Sequence, residues 1–482
     1  MGFTFIDYFI LAVFFIGIMV FGALVGGKQK SGRDYFLGNR ELPWWALAAS
    51  VVAGETSALT ILGAPVTSYF NESLGFLQLC IGYIIARTIV AFLFLPAYFK
   101  GELYTVYEFL KVRFGTKMQK TTSSVFIITR LLADGVRLFA GALVLTAIFK
   151  MPIVWAVILM GGVSLIYTYI GGIRAVVWTD LLLLIIYLTG GVVALLMIPA
   201  KIPGGWDAVW SHISHTKVFN FTFNLKETYT FWAGIIGGTF LSMASHGTDN
   251  LIVQRLLTAK NLRHSQAAII VSGVIVFFQF LLFLVIGLML YLFYHTVKPL
   301  PTLGNRNELL PFFVINEMPR GIGALLIVAI FSAAMSTIAS SLNALSSTTV
   351  NDFYKTLTKK PVEPKMEVKI SRYATAFWGV IFILFSFLFL NTKSVLDTGL
   401  AIASYTYGGL LGVFFLGLFF PKANQRGAII GLFFGLIVVL IFVIMEKYGI
   451  KILAWPWYIV TGSILTCIVG LIVSALLPDK KT

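Results

Sequence analysis

Long apolar runs dominate the chain, and short polar segments separate them. Each run is long enough to cross a hydrocarbon layer of about 30 Å as a helix of about 20 residues. The runs fall at 4–27, 43–70, 75–99, 121–149, 152–170, 174–198, 230–256, 265–295, 320–353, 368–391, 396–420, 426–446 and 453–476. Because a chain inside a bilayer must satisfy its own backbone polar groups, this pattern predicts an all-α membrane protein with about 13 transmembrane helices.

Two of these runs are interrupted by glycine and polar residues in mid-membrane. They are the second, with AGETSALT at 53–60, and the seventh, with SHGTDN at 245–250. Broken helices at matching positions of two five-helix halves are typical of inverted-repeat transporters, whose binding site lies between the breaks. The predicted parts of the single domain 1–482 are an extra N-terminal helix at 4–27, a first repeat at 43–198, a second repeat at 230–420 and two C-terminal helices at 426–476.

Composition agrees with a membrane protein and excludes several other classes. The chain is 58% hydrophobic and 12% charged, whereas an ordinary soluble domain is about a quarter charged. Its two cysteines and five histidines show no metal-binding spacing, and there is no phosphate-binding loop for a nucleotide. We therefore expect no cofactor, no nucleotide partner and no enzymatic activity.

The net charge of +16 would suit a nucleic-acid partner, but the basic residues follow the membrane instead. Of the 36 Lys and Arg residues, 23 (Arg255 among them) fall in one set of alternating loops and 10 in the other, with Arg87, Arg130 and Arg137 inside spans. By the positive-inside rule, the N-terminus is outside and the C-terminus cytoplasmic, in the plasma (cell inner) membrane. The first run lacks a basic leader and is predicted to be a retained helix.

The interrupted helices favour a bound cation. A break frees carbonyl oxygens that hydrocarbon cannot satisfy, and sodium is a hard ion that prefers oxygen ligands. The ninth run supplies further oxygens in AAMSTIAS at 333–340, where Ser336 and Ser340 share one helix face. The alternative is that these hydroxyls bond to their own helix or allow close helix packing.

Several charged residues inside the spans are candidates for function. Asp180 lies about 9 Å from the cytoplasmic end of the sixth helix, measured along the helix axis. A carboxylate at that depth is a candidate cation ligand or proton carrier, or else half of a structural ion pair. Glu55 and Asp249 sit at the two breaks, and Glu55 could instead cap the following half-helix.

One polar face occurs on the fourth helix, where Arg130, Asp134 and Arg137 are spaced i, i+4 and i+7. This face could clamp a solute carboxylate or form a mutually neutralising cluster, and Arg137 is kept as a candidate solute contact. Gln78 is either a solute contact or an interhelical hydrogen-bond partner.

Four segments in order resemble the sodium/solute symporter family, which includes sodium/galactose, proline, sialic acid and monocarboxylate transporters. They are YTVYEFLKVRFG at 104–115, GGIRAVVWTD at 171–180, TDNLIVQRLLTAK at 248–260 and FSAAMSTIASSLNALSS at 331–347. The resemblance implies a leucine-transporter-like core with an inverted five-plus-five helix repeat.

The resemblance also implies site residues. The sodium ligands that it implies are the carbonyls of Ala53, Thr56 and Ala333 and the hydroxyls of Ser336 and Thr337. A second sodium in some members implies Asp180, Ser336 and Ser340, although Ala339 stands here where those members have another serine. The solute contacts that it implies are Glu55, Ser57, Thr60, Gln78, Asp249 and Asn250.

The resulting expectation is sodium-coupled symport of a small polar organic solute by alternating access. Acidic Glu55 and Asp249 should repel a carboxylate, whereas hydroxyls and amides suit a solute rich in hydroxyl groups, so a neutral sugar-like solute is favoured. The alternatives are an organic anion of the monocarboxylate or sialic acid type, or an amino acid. Proton coupling through Asp180 and a different class, an ion channel or transporter-derived sensor, also stay open.

Overall fold

The computed structural model describes residues 4–27, 29–101, 103–358, 363–390 and 395–478. These residues form helices joined by turns, with two isolated β-bridges, Leu42 to Ala259 and Ser73 to Lys217. Six basic residues in the loop-charge comparison lie outside the described residues: Lys28, Lys359, Lys360, Lys393, Lys480 and Lys481.

The α-helices follow the apolar runs of the sequence. The first ten are α1 Phe5–Gly26, α2 Gly32–Leu37, α3 Trp44–Glu55, α4 Ala58–Asn71, α5 Leu77–Ile89, α6 Leu95–Tyr98, α7 Tyr107–Phe114, α8 Thr116–Phe149, α9 Ile153–Met197 and α10 Gly205–His215. The others are α11 Gly238–Gly247, α12 Asn250–Leu257, α13 Leu262–Thr296, α14 Leu309–Glu317, α15 Ile322–Thr348, α16 Lys355–Thr358, α17 Pro364–Ser386, α18 Val395–Phe419, α19 Gln425–Lys447 and α20 Pro456–Leu476. Short 3₁₀ or π-helical turns lie at Gly38–Arg40, Val90–Phe94, Pro199–Lys201, Ala233–Gly237, Arg306–Glu308, Thr349–Tyr354 and Phe387–Phe389.

A glycine kink divides α9 into the two spans predicted at 152–170 and 174–198. At 1.5 Å per residue, a helix of 45 residues is about 67 Å long, roughly twice the hydrocarbon thickness. Gly172 has φ +57°, and a Cβ there would lie 2.6 Å from the carbonyl oxygen of Tyr35. Only glycine therefore fits this kink without displacing the chain around Tyr35.

The all-helical membrane class is confirmed, whereas the number 13 stays a prediction. Nine helices of the described residues are long and apolar enough to cross a membrane, or ten when the bent pair α3–α4 is counted as one span. The three other predicted spans fall on α8, on half of α9 and on the pair α11–α12. α8 carries three charged residues in its middle, and α11 and α12 are each too short to cross alone.

Burial separates central helices from peripheral ones. The run Ile322–Thr358, which contains α15, has 89% of its most apolar stretch buried, whereas α1 and α19 have 28%. α15 packs against α9, α8 and the broken α3–α4 pair. α18, α19 and α20 pack together, and α18 also packs against α8 and α11. The break between α3 and α4 therefore faces the most buried of the candidate membrane spans among the described residues, and this arrangement positions the candidate site.

Candidate functional site

The chain bends by 65° between α3 and α4. Thr56 and Ser57 are extended there, with ψ of 118° and 176°. The amide of Thr56 still donates to the carbonyl of Val52, at 2.9 Å, but no further helical turn follows to use the carbonyls of Ala53 and Thr56. These two oxygens need partners from another element.

α15 supplies those partners. The Ser336 hydroxyl donates to the carbonyl oxygen of Ala53 at 2.8 Å, and the Thr337 hydroxyl donates to that of Thr56 at 3.0 Å. Both hydroxyls also lie within 3.2 Å of the carbonyl oxygen of Ala333. The structure thus brings together all five residues predicted as sodium ligands, and all five are at most 1% exposed. The five oxygens form a hard, oxygen-only set of the kind that suits sodium.

Gln279 and Tyr187, which the sequence analysis missed, hold the Thr56 side chain next to this site. The Thr56 hydroxyl exchanges hydrogen bonds of 2.8 and 3.0 Å with the Gln279 amide, and the Tyr187 hydroxyl donates to the same amide oxygen at 2.9 Å. Gln279 is an amide in the middle of the apolar helix α13, and this position in the middle of a span is the signal that would have found it. These contacts fix the position of Thr56 at the break.

Asp180 is ion-paired in the structure. Its Oδ2 accepts from the Ser50 hydroxyl at 2.6 Å and lies 3.3 Å from Arg255 Nη2, while its Oδ1 has no partner among the described residues. Arg255 also donates to Ser50 through Nε at 2.8 Å and to the Ser340 hydroxyl through Nη2. Asp180 and Ser340, two members of the candidate second sodium site, are therefore joined by a guanidinium group.

The placement of Arg255 corrects the sequence analysis. Arg255 was counted among the basic loop residues, but it lies in the last turn of α12 and is 1% exposed. It points inward because Asp180, Ser50 and Ser340 provide a buried acceptor set, whereas a loop position would have left it in solvent. The larger set of basic loop residues therefore loses one member, and that set of loops still carries the excess of Lys and Arg.

A cavity beside the break forms the candidate solute site. The residues that line it are Glu55, Ser57, Leu59, Thr60, Phe76, Tyr83, Arg137, Leu241, Ser242, Ser245, Phe280 and Gly399. Four of the predicted solute contacts, Glu55, Ser57, Thr60 and Arg137, thus share one cavity. Apolar and aromatic walls with a few polar groups are typical of small-molecule sites.

The two charged groups of this cavity differ in how fully they are paired. Glu55 is ion-paired with Arg87 and lies 3.3 Å from Nε2 of His246. Arg137 donates from Nη1 to Asp134 at 2.9 Å, its Nε has no partner among the described residues, and its side chain is 18% exposed. Arg137 therefore keeps hydrogen-bond donors available, whereas the Glu55 carboxylate is already neutralised.

Three predicted solute contacts do not line this cavity. Gln78 is fully buried; its amide donates to the carbonyls of Gly75 and Tyr229 at 3.0 and 3.2 Å and accepts from the Asn220 amide at 3.1 Å. Asn250 accepts from the Val106 amide at 3.1 Å and donates to the Thr348 hydroxyl at 3.1 Å. Both amides therefore have structural partners in place of a free face toward a solute.

Asp249 is also occupied by protein groups. Its carboxylate caps α12 by accepting from the Leu251 amide at 2.8 Å. It also accepts from the Tyr407 hydroxyl at 2.6 Å and pairs with Arg130 at 2.8 Å. Asp249 borders a second cavity, which shares Glu55, Arg137 and Ser245 with the first. The mutually neutralising cluster considered for Arg130, Asp134 and Arg137 thus extends to Asp249.

Comparison with known proteins places these features in a family. The model of the sodium:solute symporter family matches residues 35–435. The sodium/sialic acid symporter SiaT of Proteus mirabilis (strain HI4320) is 28% identical, over 99% of this chain and 97% of that protein. The sodium-coupled monocarboxylate transporter 2 of Bos taurus is 29% identical, over 89% of this chain and 71% of that protein.

Solved structures agree on the architecture. The substrate-bound, outward-open state of a Na⁺-coupled sialic acid symporter matches with a TM-score of 0.90 and 27% identity, over 100% of both chains. The closed conformation of MHP1, a nucleobase-cation-symport-1 family transporter, matches with a TM-score of 0.56 and 14% identity, over 94% of this chain and 97% of that one. The second likeness concerns the fold alone.

Proposed function

The chain belongs to the sodium:solute symporter family, and we propose that the solute it carries inward with sodium is a small organic anion held by Arg137. As a member, it is an integral membrane symporter that binds sodium and a small organic solute, with sodium as coupling ion. The identity of the solute and the residues that bind it are the substance of the proposal.

Arg137 is the observation that carries the proposal. It lines the cavity beside the α3–α4 break, and among the described residues its one ion-pair partner is Asp134, which accepts from Nη1. Asp134 in turn accepts from the Ser341 hydroxyl at 2.5 Å and lies 3.6 Å from Arg130. Because Arg130 and Ser341 share this carboxylate, Arg137 is incompletely neutralised and suits a bidentate carboxylate ligand.

The neutral sugar favoured by the sequence analysis loses its main argument. That preference counted Glu55 and Asp249 as groups that repel a carboxylate. Glu55 is paired with Arg87, and Asp249 with Arg130. An acid that is already paired exerts little net repulsion on an anion nearby, so the acidic residues no longer oppose an organic anion.

The lining residues of the cavity favour a hydroxylated carboxylate of the sialic acid type. Ser57, Thr60, Ser242 and Ser245 line it beside Arg137, and a side-chain hydroxyl can both donate to and accept from a sugar hydroxyl. The high structural similarity to a sialic acid symporter supports this choice. The second candidate is a small monocarboxylate, which the Bos taurus relative favours.

Sodium, in this proposal, binds to the five oxygens of Ala53, Thr56, Ala333, Ser336 and Thr337. The ion joins the break to α15 and so favours the conformation in which the adjoining cavity is formed. A membrane potential contributes about 2.3 kcal/mol per charge per 100 mV to this step. The repeats proposed at 43–198 and 230–420, each with one broken helix pair, would move relative to each other to alternate access.

The direction of transport rests on a proposed orientation, with the N-terminus outside and the C-terminus cytoplasmic in the plasma (cell inner) membrane. The excess of Lys and Arg in one set of loops supports it. A single cysteine introduced at exposed Ser214, in the background Cys80→Ser and Cys467→Ser, should react with an impermeant maleimide on intact cells. A cysteine at exposed Lys365 should react only after lysis.

Uptake into proteoliposomes tests the solute. With an imposed inward sodium gradient, labelled N-acetylneuraminic acid, pyruvate and galactose are compared, and a proton gradient without sodium is the driver control. We expect sodium-driven uptake of N-acetylneuraminic acid, lost in Arg137→Gln. Arg174→Gln is the matched control, because Arg174 is exposed and lies 3.5 Å from Glu41 at the surface. Uptake of galactose alone, unaffected by Arg137→Gln, would refute an anion.

A further inference from the structure

A buried acidic cluster lies near the C-terminal end of the helical run Ile322–Thr358. Asp352 is in the π-helical turn Thr349–Tyr354 that continues α15, and it is fully buried. It lies 16 residues beyond Ser336, about 24 Å along a helix. It is therefore separate from the sodium and solute sites described above.

Three neutral side chains surround the Asp352 carboxylate. Thr105 donates to Oδ1 at 2.6 Å, Gln119 Nε2 donates to Oδ1 at 2.8 Å and Ser123 donates to Oδ2 at 2.7 Å. All three are fully buried. Thr105 lies in the segment between α6 and α7, whereas Gln119 and Ser123 are one turn apart near the start of α8. The cluster thus joins three separate elements.

Asp352 has no basic partner among the described residues. Lys355, one turn further on, pairs with Glu367 and lies 4.5 Å from the ring centroid of Tyr104. A buried carboxylate without a counter-charge is expensive even when it accepts hydrogen bonds, and inside a membrane protein it is by default a functional group. The site therefore attracts a cation.

The Gln119 amide points to the kind of cation. Its nitrogen donates to Asp352, and its Oε1 is buried with no hydrogen-bond partner in the part of the chain that the structure describes. Buried amide oxygens are normally satisfied, so this one calls for an explanation. A rotation of the amide by half a turn would point Oε1 at the centre of the cluster. That centre would then be ringed by the Asp352 carboxylate, two hydroxyls and an amide oxygen, a hard oxygen set.

We propose that Asp352, Thr105, Gln119 and Ser123 form an additional sodium site, distinct from the site at the α3–α4 break. The carboxylate neutralises the ion, the Thr105 and Ser123 hydroxyls turn lone pairs toward it, and Gln119 coordinates through Oε1. A sodium ion held there ties the segment before α7 to α8 and to the end of the α15 run. By the proposed orientation, these elements lie on the cytoplasmic side.

Equilibrium binding of ²²Na⁺ to the purified full-length protein tests this proposal. We expect Asp352→Asn to bind one sodium ion fewer per protein than the wild type. Ser336→Ala, at the first site, should leave the ion at Asp352 in place. If Asp352→Asn binds as many sodium ions as the wild type with unchanged affinity, the proposal is overturned, and Asp352 is a hydrogen-bond acceptor or a proton site.

A milder variant keeps the proposal testable if Asp352→Asn does not fold. Ser123→Ala removes one neutral ligand and should weaken the affinity of the Asp352 site for sodium by about tenfold, equal to about 1.4 kcal/mol. Thr122→Ala is the matched control. Thr122 is the neighbouring buried residue, but its hydroxyl bonds to its own helix, to the Met118 carbonyl at 2.9 Å. Equal sodium affinities of these two variants would also overturn the site.

Discussion

Arg255 Nη2 lies 3.3 Å from Asp180 Oδ2, and both side chains are at most 1% exposed. The guanidinium also bonds to Ser340, which places a fixed positive charge among residues considered for a second sodium ion. In this conformation Asp180 is therefore the partner of a protein cation. A sodium ion at these residues would require Arg255 to move away.

We expect Asp180→Asn to destabilise the protein, because it leaves Arg255 buried without a counter-charge. Removal of one partner of a buried ion pair typically costs about 3–5 kcal/mol. Thermal unfolding in detergent measures the loss, and Asp207→Asn, at an exposed position of α10, is the control. The double variant Asp180→Asn/Arg255→Gln should recover much of the stability. A single variant that melts like the wild type yet binds less sodium would identify Asp180 as a cation ligand.

The oxygens at the α3–α4 break predict a second pair of variants. Ser336→Ala and Thr337→Ala each remove one hydroxyl ligand, and we expect each to raise the sodium concentration for half-maximal uptake by at least about tenfold, equal to about 1.4 kcal/mol. Ser332→Ala is the matched control, because Ser332 is equally buried and bonds to the carbonyl of Val328 at 2.8 Å. Wild-type sodium dependence in both variants would rule out the proposed ligands.

Gln279 should affect sodium binding indirectly, because it contacts Thr56 and is not itself a proposed sodium ligand. Gln279→Leu removes the amide that holds the Thr56 hydroxyl, so the Thr56 carbonyl should lose its fixed position while the five oxygens stay present. We expect several-fold weaker sodium binding and little change in solute half-saturation at high sodium. Gln266→Leu serves as the control. Gln266 lies on the same helix as Gln279, but its amide donates to the carbonyl of Ala91, away from the α3–α4 break. Equal sodium affinities of the two variants would contradict this role.

Local features of the structure were predictable from the sequence, and distant pairings were not. Glycine and polar residues marked the break at 53–60, because freed carbonyls in hydrocarbon need partners close by. The partner of Glu55 is Arg87, on another helix and 32 positions away, and no local spacing indicates such a pair. Arg255 was misplaced for the same reason, since its acceptors come from α3, α9 and α15.

The sequence analysis also missed the cluster around Asp352. Asp352 stands at the end of the predicted ninth span, where a charged residue ordinarily reaches solvent. Thr105, Gln119 and Ser123 are unremarkable as single residues, and only the fold brings them to one carboxylate. Four of the predicted solute contacts do share a cavity, because three of them flank one helix break and Arg137 faces it from α8. Their binding roles stay predictions.

Variants of Gln78 and Thr60 should distinguish a structural role from a role in solute binding. Its amide makes three hydrogen bonds to backbone groups, so Gln78→Ala should leave buried carbonyls unsatisfied and lower stability by about 1–3 kcal/mol. The solute half-saturation constant should then stay near that of the wild type. Thr60→Val, at a residue that lines the cavity, should do the reverse: near-normal thermal stability with a half-saturation constant raised by about tenfold, or about 1.4 kcal/mol. Paired melting curves and uptake kinetics decide the matter. If Gln78→Ala melts normally but binds solute poorly, its amide must turn to the solute in the transporting state, and a hydroxyl-rich solute is then recognised partly by Gln78.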